Sequence, residues 1–145
     1  MIALGSDHGG YELKNHVKKH LIERGFEIKD YGVFSEDSVD YPDCAAPVCE
    51  AVLSGEAEKG ILFCGTGIGI SIAANKFDGI RAALCGDVFS ATMAKQHNNA
   101  NIIALGGRVT GRELAFMIVD AWLDNEFLGG RHADRVAKIH EIEKR

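Results

Sequence analysis

The sequence predicts an α/β protein with a three-layer, doubly wound (Rossmann-like) fold, in which helices cover both faces of a five-stranded parallel sheet. Five short apolar segments alternate with helical patterns from one end of the chain to the other. These segments are unbroken apolar runs, as expected of parallel strands that are buried on both faces. No linker, repeat or low-complexity segment divides the 145 residues, so a single domain over residues 1–145 is expected.

The first strand and the first helix have clear patterns. Residues 2–4 are an apolar strand that ends in a polar, glycine-containing turn. After this turn, Leu13, Val17 and Leu21 recur at the one-turn spacing of a buried helical face, and Gly25 follows near the expected end of the helix.

The other elements follow in the same alternation, each indicated by an apolar run or by helical periodicity. Pro42 fits the first turn of the second helix, because the N–H that proline lacks would have no partner there. The predicted strands are residues 26–31, 60–64, 80–84 and 102–105. The predicted helices are residues 42–55, 70–75, 87–97 and 110–125, with a charged C-terminal helix at about 132–144. The helix at 110–125 carries Leu114, Ile118 and Trp122 at helical spacing. In such a sheet, ligands bind at the carboxyl ends of the strands, and the residues that follow strands are expected at that edge, namely Asp7, His8, the loop at Cys64 and Arg108.

The composition argues against several classes of protein. A formal net charge of −5 makes nucleic acid or an anionic membrane surface a poor main partner. No stretch approaches the roughly 18 apolar residues of a membrane span. The N-terminus lacks the features of a signal peptide, so a soluble, cytoplasmic protein is expected. The four cysteines form no C-x-x-C pair, and Cys44, Cys49 and Cys85 are predicted to be small core residues.

The segment from Cys64 to Ser71, with the sequence CGTGIGIS, is the best candidate for a reactive site. Its three alternating glycines allow close approach of the backbone to a ligand, with N–H groups pointing inward as in an anion-binding nest. The positive N-terminal end of the next helix favours a thiolate at Cys64. A base beside an oxyanion hole is what proton abstraction next to a carbonyl requires. From this segment alone, a tight turn with a buried thiol explains the pattern equally well.

A dinucleotide-binding loop is the competing interpretation of the same glycines. The spacing here is G-x-G-x-G and not G-x-G-x-x-G, although Asp87 lies about 20 residues further on, where an acidic ribose ligand is expected. The loop also lies in the middle of the chain, which leaves too little sequence for a separate substrate domain.

The histidines and two arginines supply further candidates. His16 and His20 have the i, i+4 spacing of metal ligands, but without a third ligand nearby they are expected to lie on a solvated face. His140 is expected at the surface of a charged helix. Arg131 and Arg135 share one helical face, which suits a phosphate or is simply a solvated basic face. The remaining histidines lie in segments that are compatible with function: His8, His97 and His132.

Four motifs occur together and in order along the chain. They are GSDHGG at residues 5–10, CGTGIG at 64–69, QHNNAN at 96–101 and R-x-x-x-R at 131–135. In this combination the chain resembles the ribose-5-phosphate isomerase B family, and the resemblance covers essentially the whole sequence. It implies an aldose–ketose isomerase of the pentose phosphate pathway that interconverts ribose 5-phosphate and ribulose 5-phosphate, with no metal and no cofactor.

The resemblance implies a role for each matching residue. Cys64 matches the base that moves the proton between C2 and C1 of the open-chain sugar. Some members of the family use a glutamate of the loop instead, and Ile70 occupies that place here. Thr66 and a run of backbone N–H groups match the anion hole for the enediolate. The residues of that run are Gly65, Gly67, Ile68, Gly69, Ile70 and Ser71.

The same resemblance assigns the remaining substrate contacts. His97 matches the residue that assists ring opening, with Asp7 as its partner on the sugar oxygen. Asn98 matches a ligand of a sugar oxygen, and Tyr41 an aromatic residue against the substrate. The phosphate ligands implied are His8, Arg131 and Arg135, with Arg108 as a further polar contact. Relatives of the fold act on allose 6-phosphate or galactose 6-phosphate, so a hexose phosphate remains an alternative substrate, and a non-catalytic sugar-phosphate- or nucleotide-binding module an alternative function.

The predicted topology also bears on the assembly. The helix that begins near Asp87 starts at the edge of the sheet where Cys64 lies and runs back towards the opposite edge. About 10 residues at roughly 1.5 Å each carry His97 some 15 Å away from that edge. His97 would then reach a Cys64 only across a two-fold interface, as the resemblance also implies. A homodimer with shared active sites is therefore expected, and the choice between dimer and tetramer stays open.

Overall fold

The computed structural model describes all 145 residues and contains five strands and six helices in alternation. In chain order the elements are β1 Ile2–Ser6, α1 Tyr11–Glu23, β2 Ile28–Asp30, α2 Tyr41–Ser54, β3 Lys59–Cys64, α3 Ile68–Ala74, β4 Ala82–Leu84, α4 Val88–Gln96, β5 Ile102–Gly106, α5 Arg112–Leu123 and α6 Arg131–Ile142. Every predicted element is present, and the predicted α/β fold is confirmed. No helix has the length and apolar content needed to cross a membrane.

The five strands form one fully parallel sheet in the order β2-β1-β3-β5-β4. Strand β2 lies beside β1 at one edge of the sheet, and β3 lies on the other side of β1. Strand β4 forms the opposite edge, and β5 lies between β3 and β4. With right-handed crossovers, this order puts α1, α4 and α5 on one face and α2 and α3 on the other. Because α1 leaves β1 towards one face and α3 leaves β3 towards the opposite face, a crevice opens between the carboxyl ends of β1 and β3.

Two apolar cores, one on each face, hold the three layers together. Successive residues of β3 point to opposite faces, so that Phe63 belongs to the core under α1, α4 and α5, whereas Leu62 and Cys64 belong to the core under α2 and α3. The central strands are buried along their whole length, which explains their unbroken apolar sequences.

The differences from the sequence-based expectations are local. The edge strands β2 and β4 have only 3 residues each, because each has a neighbour on one side alone. In α5, Ile118 and Trp122 are buried as the periodicity predicts, but Leu114 is 40% exposed and Ala115 takes its place in the core. The C-terminal helix begins at Arg131 and ends at Ile142, slightly earlier than expected.

Two of the histidines that were expected at the surface are partly exposed but make contacts that were not predicted from the sequence. His20 is not simply solvated: its ring stacks on Phe116 with centroids 4.4 Å apart, and its Nε2 lies 2.9 Å from the Asp120 carboxylate, so that it joins α1 to α5. His140 is not a free surface residue either, because its ring contacts Arg81 and Glu143. The contacts of His20 with α5 and of His140 with Arg81 are not visible in the sequence, since those partners lie far away along the chain.

Candidate active site

The loops that follow β1, β3 and β5 meet at the carboxyl edge of the sheet. The N–H of Gly107 donates to the Cys64 carbonyl at 2.8 Å, and the N–H of Arg108 donates to the Gly65 carbonyl at 2.9 Å. Gly9, after β1, lies so close that a β-carbon on it would come within 2.9 Å of the Gly65 nitrogen. The crevice between β1 and β3 therefore contains backbone from three loops and the side chains that they carry.

Cys64 ends β3 at this crevice, and its side chain belongs to the core under α2 and α3. The residue is only 4% exposed, and its Sγ accepts a hydrogen bond of 3.1 Å from the N–H of Gly67. Gly67 has a φ of +81°, and a β-carbon there would lie 2.6 Å from Leu84 Cδ1, so both the conformation and the space require glycine. A donated hydrogen bond stabilises negative charge on the sulfur, as a thiolate base needs.

The other three cysteines lie in apolar surroundings, as predicted, and all four are free thiols. Burial raises the pKa of Cys49 and of Cys85 to about 12. The pKa of Cys44 is also raised, first by burial and then by the nearby Asp7 carboxylate. These three residues therefore remain protonated thiols at neutral pH.

The backbone N–H groups after Cys64 fall into two sets. Those of Gly67, Ile68 and Ser71 are already used, by Cys64 Sγ, by Thr66 Oγ1 at 3.2 Å and by the Gly67 carbonyl at 3.2 Å. These three N–H groups are therefore not free for a ligand, although the whole run was expected to be. The N–H groups without an acceptor in the protein are those of Gly65, Thr66, Gly69 and Ile70. Because the Ile70 side chain is fully buried in the core, this residue can offer a ligand only its backbone.

Tyr41 lies against this loop from the start of α2. A β-carbon on Gly69 would come within 2.7 Å of the Tyr41 Cζ atom, so the phenol ring packs directly on the backbone of the first turn of α3. The ring remains 40% exposed. Tyr41 thus forms a wall beside the unpaired N–H groups of Gly69 and Ile70, where an aromatic residue could contact a substrate.

Asp7 and His8, directly after β1, are both oriented by backbone donors. The buried Asp7 carboxylate accepts the N–H groups of Gly9 and Gly10 through Oδ1, at 2.9 and 3.1 Å, and its Oδ2 makes no hydrogen bond within the protein. His8 Nδ1 accepts the N–H of Val39 at 3.2 Å. Because Nδ1 is the acceptor, the neutral ring carries its proton on Nε2, which is then the donor available to a ligand.

The remaining candidates form a second cluster. The rings of His97 and His132 stack with centroids 4.0 Å apart and planes 9° from parallel. Burial lowers the pKa of His132, and the nearby His97, Arg131 and Arg135 lower it further. The structure therefore brings these four residues together, with the exposed Asn98 beside His97 in the chain. No specific role for His132 was predicted from the sequence, where its place directly after Arg131 was the signal that could have indicated one.

The two clusters lie at opposite edges of the sheet. Cys64 is in register with Gly106 at the carboxyl end of β5, whereas the segment containing His97 leads into Ile102 at the amino end of the same strand. Four residue steps along a parallel strand span about 13 Å. Within one chain, the structure therefore separates Cys64, Asp7 and His8 from His97, Arg131 and Arg135, as the topology predicted.

Asp87 does not act as the acidic residue of a dinucleotide site. Its Oδ1 accepts the N–H of Ser90 at 2.7 Å and its Oδ2 the Ser90 hydroxyl at 2.8 Å, so that it caps α4. These hydrogen bonds lower the pKa of Asp87. It also follows the edge strand β4, two strands away from β3. Asp87 therefore does not support the interpretation of the glycine-rich loop as a dinucleotide-binding site.

Comparisons with known proteins agree with this geometry. Residues 2–139 match the family model described as Ribose/Galactose Isomerase. The chain is 54% identical to "Ribose-5-phosphate isomerase B" of Escherichia coli K12, over 99% of this chain and 97% of that protein. It is 48% identical to "D-erythrulose-4-phosphate isomerase" of Pectobacterium atrosepticum, over 95% of this chain and 91% of that protein. A ribose-5-phosphate isomerase B structure from Clostridium thermocellum has a TM-score of 0.98 and 59% identity, covering 99% of this chain and 97% of that one. The chain belongs to the ribose/galactose isomerase family.

Proposed function

We propose that this protein interconverts ribose 5-phosphate and ribulose 5-phosphate, with residues 1–145 acting as one isomerase domain. The observation that carries the proposal is the Cys64 thiol, held by the Gly67 N–H at the edge of a row of unpaired backbone donors. A base next to preorganised N–H groups suits proton transfer through an enediolate. The names of the relatives from Escherichia coli and Clostridium thermocellum support the pentose substrate.

Cys64 and the loop after it perform the central step. The Cys64 thiolate takes the proton from C2 of the open-chain aldose, and the electron pair of that C–H bond becomes the C1–C2 double bond. The carbonyl pair moves to O1, whose negative charge is stabilised by N–H groups of the loop, of which Gly69 and Ile70 are unpaired. A proton passes from O2 to O1, and the thiol returns its proton to C1, so that the ketose forms and the thiolate is restored.

Ring opening and phosphate binding are assigned to the other candidates. His97 and the free Oδ2 of Asp7 exchange protons with the ring oxygen and the anomeric hydroxyl, and Asn98 binds a sugar hydroxyl. The phosphate is bound by Arg131 and Arg135. His8 Nε2 and Arg108 lie on the Cys64 side of the site, where His8 is oriented as a donor by Val39. Arginine pairs suit this task because each guanidinium binds phosphate oxygens in a bidentate manner.

The active site is assembled from two chains. Because His97, Arg131 and Arg135 lie at the edge of the sheet opposite to Cys64, a two-fold dimer is needed to bring both clusters to one substrate. Exposed apolar side chains on α3, β4 and α4 give such a dimer a surface to bury, namely Ile68, Ile72, Leu84 and Phe89. Two sites, each with residues from both chains, are formed in the dimer.

A direct assay tests the function. Purified protein is expected to interconvert ribose 5-phosphate and ribulose 5-phosphate without added metal or nicotinamide. Cys64→Ala should lower kcat by roughly 10²–10⁴-fold while the fold survives, because general base catalysis contributes about that much. Cys85→Ala, which removes a buried thiol on the other face of the sheet, is the matched control. Normal turnover by a folded Cys64→Ala protein would refute the assignment of the base.

A four-carbon or six-carbon sugar phosphate is the second candidate substrate. The relative from Pectobacterium atrosepticum bears the name of an erythrulose-4-phosphate isomerase, and the family description includes galactose isomerases. The comparison to make is kcat/KM for ribose 5-phosphate, erythrulose 4-phosphate, allose 6-phosphate and galactose 6-phosphate. A preference for a substrate other than the pentose would change the substrate assignment but leave the proton-transfer mechanism in place.

A further inference from the structure

The segment 97–101 connects α4 to β5 and carries the proposed ring-opening residues. It is irregular, with Asn99 at a φ of +46°, and its conformation depends on contacts from outside the segment. The carbonyl of Ala100 accepts a hydrogen bond of 3.1 Å from the Trp122 indole. The side chain of Asn101 donates to the Gly79 carbonyl at 2.9 Å. Residues 100 and 101, at the end of the segment, are therefore held by hydrogen bonds to α5 and to the loop before β4.

Arg81, just before β4, contacts the segment at Asn99 and Asn101, two and four residues after His97. Its Nε donates to the Asn99 carbonyl at 2.9 Å. Its own N–H donates to Asn101 Oδ1 at 2.8 Å, and its carbonyl accepts the Asn101 N–H at 3.2 Å. The guanidinium thus fixes the residue that directly follows Asn98, and the backbone of Arg81 fixes the end of the segment.

The same guanidinium also binds the C-terminal helix α6. Arg81 Nη1 lies 3.0 Å from His140 Nε2. Because arginine can only donate, His140 Nε2 must accept, and the proton of the neutral ring is on Nδ1, which faces Glu143 Oε2 at 3.2 Å. Glu143 Oε1 in turn accepts the N–H of Gly79 at 2.9 Å. Helix α6 is the helix that carries Arg131, His132 and Arg135.

One side chain therefore joins the segment with His97 to the helix with Arg131 and Arg135. Burial lowers the pKa of Arg81, and the Glu143 carboxylate offsets part of that effect. A partly buried cation whose partners are mainly carbonyls and an imidazole contributes little net stability to a fold, because its desolvation costs free energy. Its bonds instead set the distance between the ring-opening and phosphate-binding groups, which are delivered together to the partner chain.

We propose that Arg81 is a positioning residue for the isomerase reaction, acting through the His97–Asn98 segment and through helix α6. The proposal rests on the proposed function, since it requires His97 to serve the reaction. Arg81 itself does not contact the substrate. It keeps His97 and the two phosphate-binding arginines in one rigid arrangement, so its loss should misplace His97 without removing any group from the site.

The test is a double-mutant comparison with the full-length protein. Arg81→Gln is expected to lower kcat/KM for ribose 5-phosphate by roughly 10–100-fold, the range that a displacement of about 1 Å can produce. His97→Asn should lower it as well. In the double variant, Arg81→Gln should add little further loss of kcat, because residues that act through each other are not additive, whereas the rise in KM that comes through helix α6 should persist. Lys29→Gln is the matched control: it removes a cation that joins β2 to Glu56, at the edge of the sheet opposite to β4 and far from this segment.

The control should alter kcat/KM by no more than about 2-fold in either background, because distant sites behave independently. Multiplicative losses of kcat in the double variant, or an Arg81→Gln protein with unchanged kcat/KM, would overturn the proposal. If His97→Asn is silent while Cys64→Ala is inactive, the role of His97 fails, and the inference fails with it. If Arg81→Gln does not fold, Arg81→Lys keeps the charge but cannot reach both Asn99 and His140, and the same comparison applies to it.

Discussion

The sulfur of Cys64 differs from the other three sulfurs in the donor that contacts it. Gly67 offers an N–H to Cys64 Sγ, whereas burial dominates the surroundings of the other thiols and raises their pKa. The sequence alone could suggest this difference, since only Cys64 precedes a glycine-rich turn. It could not indicate which N–H groups the turn uses internally, because that depends on the left-handed conformation of Gly67.

This difference predicts selective alkylation. With iodoacetamide at about pH 8, Cys64 should react before the other cysteines, because Cys49 and Cys85, with pKa values of about 12, and Cys44, whose pKa is also raised, remain protonated. Activity should fall in proportion to the modification of Cys64, and added ribose 5-phosphate should slow both the modification and the loss of activity. Peptide mass spectrometry measures the order of modification. Faster reaction at Cys85 or Cys49 would contradict this account of the thiols.

Arg131 and Arg135 give a second prediction at the scale of single residues. Arg131→Ala or Arg135→Ala should raise KM strongly, since each removes a charge-assisted contact worth about 1.5–3 kcal/mol. Some loss of kcat should accompany it, because phosphate binding positions the reacting carbon. Steady-state kinetics measure both. Arg145→Ala, at the exposed C-terminus, is the control, and unchanged kinetics in both test variants would leave the pair as a solvated basic face.

At the scale of elements, the start of α3 shows what sequence periodicity can and cannot predict. The helix was expected to begin at Ile70 and begins at Ile68. The difference matters, because the first turn then supplies the unpaired N–H groups of Gly69 and Ile70 next to the sheet edge. Periodicity cannot detect this turn, since Ile68 is exposed and Gly69 has no side chain. Periodicity was also insufficient at Leu114 in α5, because the apolar residues of this helix fit two buried faces, one with Leu114 and one with Ala115. Tertiary packing selects the face with Ala115.

The contact between Tyr41 and Gly69 predicts a sharp effect of a small substitution. Gly69→Ala should displace the Tyr41 ring, because the new β-carbon would come within 2.7 Å of it. Since Gly69 lies within the helix, where alanine is favoured, stability should change little while kcat/KM falls by roughly 10-fold or more. Tyr41→Ala should relieve the clash in the double variant and make Gly69→Ala nearly neutral. Thermal melts and kinetics of the four proteins test this.

The ion pair of Lys14 and Asp30 lies beyond what the sequence could predict at this scale. Lys14 occupies a buried position of α1 and donates to Asp30 Oδ1 at 2.7 Å and to the Val33 carbonyl. Within the helical pattern it resembles an interruption of the apolar face next to Leu13. The role of Lys14 is clear only in the folded protein, where it holds the loop after β2 through the Val33 carbonyl, and that loop continues to Val39, whose N–H donates to His8 Nδ1. Long-range partners of charged residues are the least predictable contacts from sequence.

At the scale of the whole molecule, the sheet order determines which candidate residues can meet. The sequence predicted the strands, their parallel direction and the edge at which Cys64, Asp7 and Arg108 lie, because these follow from local patterns and from the handedness of crossovers. It left the order β2-β1-β3-β5-β4 open. The separation of His97 from Cys64 could be predicted without the strand order, because it depends only on the direction of α4.

The shared active site makes a prediction about mixed dimers. Cys64→Ala chains and His97→Ala chains, each inactive alone, are refolded together. If each site takes Cys64 from one chain and His97 from the other, a mixed dimer contains one doubly altered site and one intact site. Random pairing makes about half of the dimers mixed, so activity should recover to at most roughly a quarter of the wild-type value.

The alternative arrangement gives a different result in the same experiment. If Cys64 and His97 of one chain served the same site, every site in every dimer would carry one substitution, and no activity would return. The control is a mixture of Cys64→Ala chains with Cys64→Ala,His97→Ala chains, which contains no intact site in either arrangement. Formation of mixed dimers is verified by native mass spectrometry. The roughly 13 Å between the two ends of β5 makes recovery the expected outcome, because it keeps His97 out of reach of its own Cys64.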